Sequence, residues 1–345
     1  MTSAEFVTLK EITGQTAAWA QAIERATTLA PEIRGLAIRG QRQAICVGCG
    51  STYYLALSAA SLLQARTGVV ARAFPASELL LNPQSAYVDG KCVLIAISRS
   101  GATSETLRAV ADFKAKRQGQ VVVLTNDADS PIAARGDVVL AMAKGQERSV
   151  AQTRSFASMH VAAAAIADLA GPEPSGGAYK DALIACGDAL IQDRCDVAQR
   201  LAKEERINQV FFLGAGPRYG LACEASLKLK EMSQTVSEPF RFLEFRHGPI
   251  SMVDDRTLVV GMVSEGAYDH EMAVMAEARG FGARTLTIGE KGTDIAFNSG
   301  IAEYARNVLY LPVLQLFAFH RAIAKGKNPD KPRHLAAVVE LGLDG

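Results

Sequence analysis

The chain has 345 residues, enough at roughly 150 per domain for two domains that each bury a core. Its 37 Lys and Arg against 36 Asp and Glu leave a formal charge of +1, which excludes a sequence-wide basic footprint for nucleic acid or acidic membrane and points to small-molecule partners. A composition of 49% hydrophobic and 21% charged residues, with the 29 Gly placed mainly where apolar runs end, excludes extensive disorder.

In chain order, the stretch from Met1 to Ala18 carries acids and no long apolar core. Neither a secretory signal nor a basic transit peptide is therefore expected, and the cytoplasm is the default compartment. Leu9 to Ala26 reads as a helix packed on one half of the chain or on a second subunit. Next come apolar runs at Ala44 to Val47, Cys92 to Ile97, Val121 to Thr125 and Val138 to Ala141, each followed by Gly or Ser and then by a helical pattern. That alternation predicts a parallel sheet covered by helices. A linker-type cluster, Gly171-Pro-Glu-Pro-Ser-Gly-Gly177, leads into a polar helical bridge near Tyr179 to Glu205. The strand pattern then recurs at Val210 to Leu213, Leu258 to Val263, Thr285 to Ile288 and Val308 to Leu311. The apolar stretches Met159 to Ala170 and Tyr310 to Ala324 are too short or too interrupted by polar residues to span a membrane.

The expected fold class is thus α/β: two tandem parallel sheets, each flanked by helices in a flavodoxin-like three-layer sandwich. Expected boundaries are an amino-terminal helical segment at 1–30, a first domain at 31–171, a linker and bridging helix at 172–204, and a second domain at 205–345. The halves can be set in register: Gly48-Cys-Gly-Ser-Thr-Tyr-Tyr-Leu-Ala56 matches Gly214-Ala-Gly-Pro-Arg-Tyr-Gly-Leu-Ala222 at five of nine positions with an offset of 166. The six Cys read as reduced, structural thiols, and no second Cys or His pair joins Cys46 and Cys49 in a zinc set, so no metal is expected.

In an open parallel sheet, ligands bind beyond the carboxyl ends of the strands, where helix amino termini offer unpaired N–H groups. Ser98-Arg-Ser-Gly-Ala-Thr103 occupies such a place. The hydroxyls of Ser98, Ser100 and Thr103 can donate to phosphate oxygens, Gly101 allows close backbone approach, and Arg99 adds a cation. This is a phosphate cradle without a Walker lysine; the alternative is that Ser100 or Thr103 merely caps a helix. The matching turn in the second half, Ser264-Glu-Gly266, sets a carboxylate in the place of Ser100, which would repel phosphate and argues for one composite site rather than two equivalent ones. Gly48-Cys-Gly-Ser-Thr52 lacks the further spacing and acidic residue of a dinucleotide fingerprint, so NAD is not expected.

The stretch Glu224-Ala-Ser-Leu-Lys-Leu-Lys-Glu231 places Glu224, Lys228 and Glu231 on one helical face. A solvated ion-pair stripe is one reading. The flanking Ala222, Ala225, Leu227 and Leu229 suggest instead a packed helix, where charged groups need partners or a purpose. His247, ahead of Gly248-Pro249, sits in an expected turn and is as readily structural as catalytic.

Together these motifs resemble tandem sugar-isomerase (SIS) domain proteins: the isomerase half of glucosamine-6-phosphate synthase and, more closely, free-standing amino-sugar-phosphate deaminase/isomerases. The resemblance covers nearly the whole chain and adds Ser149-Val-Ala-Gln-Thr-Arg-Ser155, Phe245-Arg-His-Gly-Pro249 and Asn328-Pro-Asp-Lys-Pro-Arg-His-Leu335 to the motifs above. It implies that Ser98, Arg99, Ser100 and Thr103 hold a sugar phosphate, that Ser51 and Thr52 line the same pocket, and that Val150 to Gln152 contact the sugar. It implies further that Glu231 moves a proton between C1 and C2 with Lys228 close by, and that His247 assists ring opening from a neighbouring subunit in at least a homodimer. No cofactor is implied.

The implied activity is conversion of glucosamine 6-phosphate to fructose 6-phosphate and ammonia. Ketose/aldose phosphate isomerisation and deglycation of a sugar-phosphate amine share the same proton-transfer steps, and a non-catalytic phosphosugar sensor would need only the phosphate loop. The first repeat begins too near the amino terminus for a glutaminase domain, so glutamine-dependent synthesis is not expected. The family's imine-forming lysine corresponds to Ala337, and Lys327, Lys331 and Arg333 do not fall in its register. Arg333 and His334 are candidates to close the tail over the site or are ordinary surface residues.

Overall fold

In the computed structural model the described residues are 6–116, 119–193 and 195–336, and they form two compact units. The first unit gathers residues 14–147 and 154–181; the second gathers residues 6–13, 148–153 and 182–335. The first holds strands β1 (Gln43–Gly48), β2 (Ala71–Pro75), β3 (Cys92–Ile97), β4 (Gly119–Thr125) and β5 (Val138–Ala141), all parallel, in the order β2-β1-β3-β4-β5. The second holds β6 (Gln209–Gly214), β7 (Val236–Phe240), β8 (Thr257–Met262), β9 (Arg284–Gly289) and β10 (Ile295–Ala296), also parallel, in the order β10-β9-β8-β6-β7. Read from its other edge, the second order repeats the first, so the expected tandem α/β architecture is present.

The central strands β1, β3 and β8 are buried at every position, as continuous apolar runs with helices on both faces require. Two edge strands escape the apolar-run criterion for a physical reason. In Ala71-Arg-Ala-Phe-Pro75 and Val236-Ser-Glu-Pro-Phe240 one side of the ladder faces no neighbour, so an edge tolerates Arg72, Glu238 and a proline that cannot donate to the ladder. The two-residue β10 is too short to leave a pattern.

Two expectations are corrected. Val308 to Leu311 is not a strand: Asn307–Tyr310 is a 3-10 turn that runs into the helix Leu311–Ala324. That helix is buried from Leu311 to Ala322, and an apolar run buried on all sides has no periodicity to separate helix from strand. Leu9 to Ala26 is not one helix but two, Val7–Thr13 and Thr16–Thr28, broken around Gly14, where the cost of fixing a glycine in a helix is highest. Among the described residues no helix is long and apolar enough to cross a membrane.

Candidate functional site

The order of both sheets reverses between β1 and β3 and between β6 and β8, the point where an open α/β sheet leaves a crevice beyond its strands. In the first unit that crevice is flanked by the turn after β1 and the loop after β3. Gly48 ends β1 with the turn folded so closely upon it that an added Cβ would lie 2.4 Å from the Thr52 backbone. Thr52 closes this turn, its Oγ1 accepting the Cys49 N–H at 2.8 Å and donating to the Cys49 carbonyl at 2.9 Å. Ser51 and Thr52, both buried, begin the helix Ser51–Thr67.

After β3 the chain turns sharply at Gly101, with φ +63°, and a Cβ there would lie 2.2 Å from Ser130 Oγ. Ser98 Oγ accepts the Gly101 N–H at 3.1 Å and lies 3.4 Å from Thr103 Oγ1, while Ser100 Oγ accepts the Ala102 N–H at 3.3 Å. The helix Ser104–Lys116 follows directly, with the Thr103 carbonyl accepting the Leu107 N–H at 3.0 Å. Three hydroxyls are therefore gathered where a helix begins, an arrangement suited to an anion. Arg99 is largely buried, with Nη1 3.8 Å from the fully buried carboxylate of Glu147. Its carbonyl accepts the Asn126 N–H at 3.2 Å. Glu147 also accepts the Ser155 hydroxyl. Sequence reasoning missed Glu147, which no local pattern separates from the exposed charges around it.

The second unit treats the same crevice differently. Gln43 of β1 lies opposite Cys92 of β3, and Gln209 of β6 lies opposite Thr257 of β8, so the second repeat has one residue fewer between these strands. By this register Glu265 stands in the place of Ser100, as the sequence suggested. A carboxylate from the following helix, Tyr268–Gly280, reaches back into the loop: Glu271 Oε2 accepts the Ser264 N–H at 2.6 Å. Burial raises the Glu271 carboxyl above the usual range. Glu265 pairs with Arg306, which is also 3.5 Å from Glu290, and Arg218 Nη1 donates to Glu303 Oε1 at 2.5 Å.

On the helix Arg218–Ser233 of the second unit, Lys228 Nζ lies 3.3 Å from Glu224 Oε1 and donates to Glu231 Oε2 at 2.5 Å. The Lys228 and Glu224 side chains are each 2% exposed and Glu231 is 16% exposed, so this is a buried triad with one carboxylate reaching solvent, not a solvated stripe. Lys325 Nζ fixes the carboxyl end of this helix, donating to the Gln234 carbonyl at 3.3 Å and to Thr235 Oγ1 at 3.2 Å.

His247 is exposed in a turn between the helix Phe242–Phe245, anchored by buried Phe242 and Phe245, and the 3-10 turn Pro249–Met252. Its N–H donates to the Glu244 carbonyl at 3.0 Å, and the neighbouring Arg246 is pinned by a two-pronged pair with Glu277 at 2.7 and 2.6 Å. Val150 and Gln152, half-buried, lie in the segment 148–153, which also belongs to the second unit. Ser51, Thr52, Ser98, Arg99, Ser100 and Thr103 thus belong to the first unit, and Val150, Gln152, Lys228, Glu231 and His247 to the second. Among the described residues no group of three or more His, Cys, Asp or Glu is placed to hold a metal ion. Ala337 lies outside the described residues.

The SIS domain pattern matches residues 37–169 and 204–323, spanning both sheets. The chain belongs to the SIS domain family. Among curated relatives, the isomerizing glutamine–fructose-6-phosphate aminotransferase of Clostridium tetani is 29% identical over 315 residues, covering 86% of this chain and 51% of that protein. This SIS-domain chain therefore spans about half the length of the relatives it matches. Among solved structures, a glucosamine-6-phosphate deaminase from Thermotoga maritima matches with a TM-score of 0.84 at 27% identity, covering 97% of this chain and 99% of that one. Tagatose-6-phosphate ketose/aldose isomerase from Escherichia coli matches with a TM-score of 0.84 at 22% identity, covering 97% of each chain, a likeness of fold.

Proposed function

We propose that this SIS-domain chain is an amino-sugar 6-phosphate deaminase/isomerase that converts glucosamine 6-phosphate and water to fructose 6-phosphate and ammonia. The observation that carries the reading is the Lys228–Glu231 pair at 2.5 Å on a buried helix, with Glu231 the carboxylate open to solvent. The similarity to the Thermotoga maritima deaminase over nearly the whole of both chains supports the choice of reaction.

Moving a proton between adjacent carbons needs one base that serves both, and a carboxylate beside an ammonium can do so while developing enediol charge is stabilised. In this reading Ser98, Ser100 and Thr103 donate to the phosphate, Arg99 contributes positive charge, and Ser51 and Thr52 line the pocket. The hydroxyl of Thr52 already closes its own turn, so its contribution is through backbone and shape. Val150 and Gln152 contact the sugar, and His247 assists ring opening to the aldehyde in the site of a second copy of the chain. Glu231 then takes the C2 proton and returns it to C1 while a proton passes from the amine nitrogen to O1, leaving a C2 imine and a C1 hydroxyl. Water adds to that imine, the C–N bond breaks, and ammonia leaves with fructose 6-phosphate.

The test is to incubate the purified chain with glucosamine 6-phosphate and assay fructose 6-phosphate and ammonia together. Equal yields of both support deamination. Isomerised sugar phosphate without ammonia overturns it in favour of simple isomerisation, and tight binding with neither product overturns it in favour of a sensor.

A further inference from the structure

The segment 148–153 has no helix or strand of its own, so its shape depends on what holds it. One holder is a carboxylate that the proposed chemistry does not use. Glu11, 3% exposed on the helix Val7–Thr13, accepts the Arg148 N–H at 2.5 Å through Oε1 and the Ser149 N–H at 3.3 Å through Oε2. A buried carboxylate is costly unless hydrogen-bonded, and two backbone donors presented to its two oxygens are the compensation. At the other end of the segment Gln315, also 3% exposed, donates from Nε2 to the Thr153 carbonyl at 3.1 Å. Within it Ser149 Oγ donates to the Ala151 carbonyl at 2.9 Å.

The helix that carries Glu11 is itself tied down. Asp330 accepts the Val7 and Thr8 N–H groups at 2.9 and 2.8 Å and the Thr8 hydroxyl at 2.6 Å, and Phe6 meets Phe319 edge to face with centroids 5.9 Å apart. Gln315 and Phe319 share the helix Leu311–Ala324, which runs on towards Asp330. All these residues belong to the second unit. Both ends of the segment are gripped, one directly from Leu311–Ala324 and the other through a short helix that the tail holds in place.

We propose that Glu11 is a positioning residue that sets the backbone of 148–153 for contact with the sugar, and that Asp330 acts behind it by fixing the helix Val7–Thr13. This rests on the reading that Val150 and Gln152 contact the sugar. Glu11→Gln keeps the size of the side chain but offers one accepting oxygen where two are used, and turns an NH2 group towards the second donor.

The experiment has two arms on the full chain. Hydrogen exchange at the Arg148 and Ser149 amides, measured without ligand, is expected to quicken in Glu11→Gln; unchanged protection overturns the clamp whatever the substrate. In the second arm Glu11→Gln is expected to raise KM for glucosamine 6-phosphate about tenfold, with kcat within about threefold and affinity for inorganic phosphate unchanged. Equal weakening of phosphate and phosphosugar, or loss of kcat with KM unchanged, overturns the positioning role. Asp330→Asn, which likewise leaves one accepting oxygen where two are used but acts a step further from the segment, is expected to move both readouts in the same direction by a smaller factor, and it carries the test if Glu11→Gln does not fold. Wild-type protein that neither binds nor converts the sugar overturns the proposed function, while the exchange arm still decides the clamp.

Discussion

Lys228 Nζ stands 2.5 Å from Glu231 Oε2 on the helix Arg218–Ser233, and the same ammonium lies 3.3 Å from Glu224 Oε1. A single buried cation thus serves two carboxylates of unequal exposure. Glu224 lies against Lys228 inside the packed face, so the lysine keeps a buried carboxylate neighbour besides Glu231.

Replacing the solvent-reaching carboxylate should separate binding from turnover. Glu231→Gln is expected to lower kcat by about a thousandfold, the scale of a general base, while glucosamine 6-phosphate still binds within a few fold of wild type. Calorimetric binding and a product assay on one preparation check both halves. Full activity in the variant would remove Glu231 from its role.

The cradle makes a different demand, selectivity for the phosphorylated sugar. Ser98→Ala combined with Thr103→Ala removes two of the three gathered hydroxyls, at about 1 kcal/mol or more each. Affinity for glucosamine 6-phosphate should fall at least tenfold, with no change for unphosphorylated glucosamine. Competition binding with both sugars measures this, and equal effects on the two would sink the assignment.

Gly101 tests the turn on which the cradle depends. Gly101→Ala must hold an alanine at φ +63° with its Cβ 2.2 Å from Ser130 Oγ, a hydroxyl that donates to the Asp127 carbonyl at 2.7 Å. Strain and overpacking together should cost about 2–4 kcal/mol in urea unfolding. Adding Ser130→Gly should recover most of the packing part, leaving the approach to Ile132 Cγ2 at 2.9 Å and the strain. A single variant as stable as wild type would contradict the turn geometry.

Stability should also depend on pH through His160. Its Nε2 lies 2.9 Å from Ser58 Oγ in the core of the first unit, and burial pushes the imidazole from an ordinary 6.5 down to about 4. Between these values the unfolded chain takes up a proton that the folded chain refuses. The stabilisation is therefore complete above pH 6.5 and is lost as pH falls towards 4. Between pH 7 and 5 this amounts to about 2 kcal/mol, which His160→Gln should abolish. Urea midpoints for both proteins at the two pH values provide the comparison, and parallel losses would count against it.

Much of the fold is legible in the amino-acid sequence. β3 coincides with the apolar run Cys92–Ile97 because a strand covered on both faces must be apolar throughout, and β5, an edge strand buried only at alternate positions, still coincides with the apolar run Val138–Ala141. The edge strands β2 and β7 are not legible, since Arg72 and Pro239 are tolerated only where a ladder has no further neighbour, and edge position is a property of the assembled sheet. The Glu224, Lys228 and Glu231 face can be read from spacing alone, but its burial depends on what packs across from it. Glu11 leaves the faintest trace: it shares a helical face with buried Thr8 and Ile12, yet its partners lie more than a hundred residues away at Arg148 and Ser149.

The Glu271 carboxylate, reaching from its helix into the loop after β8, supplies an acceptor to that loop, while the loop after β3 turns on the hydroxyls of Ser98 and Ser100. An anion bound at the loop after β3 would add stability in proportion to the logarithm of the anion's concentration over its dissociation constant. In the second unit the carboxylate is part of the polypeptide and accepts the Ser264 N–H without any ligand. Phosphate concentration should therefore be felt at the loop after β3 and hardly at all at the loop after β8.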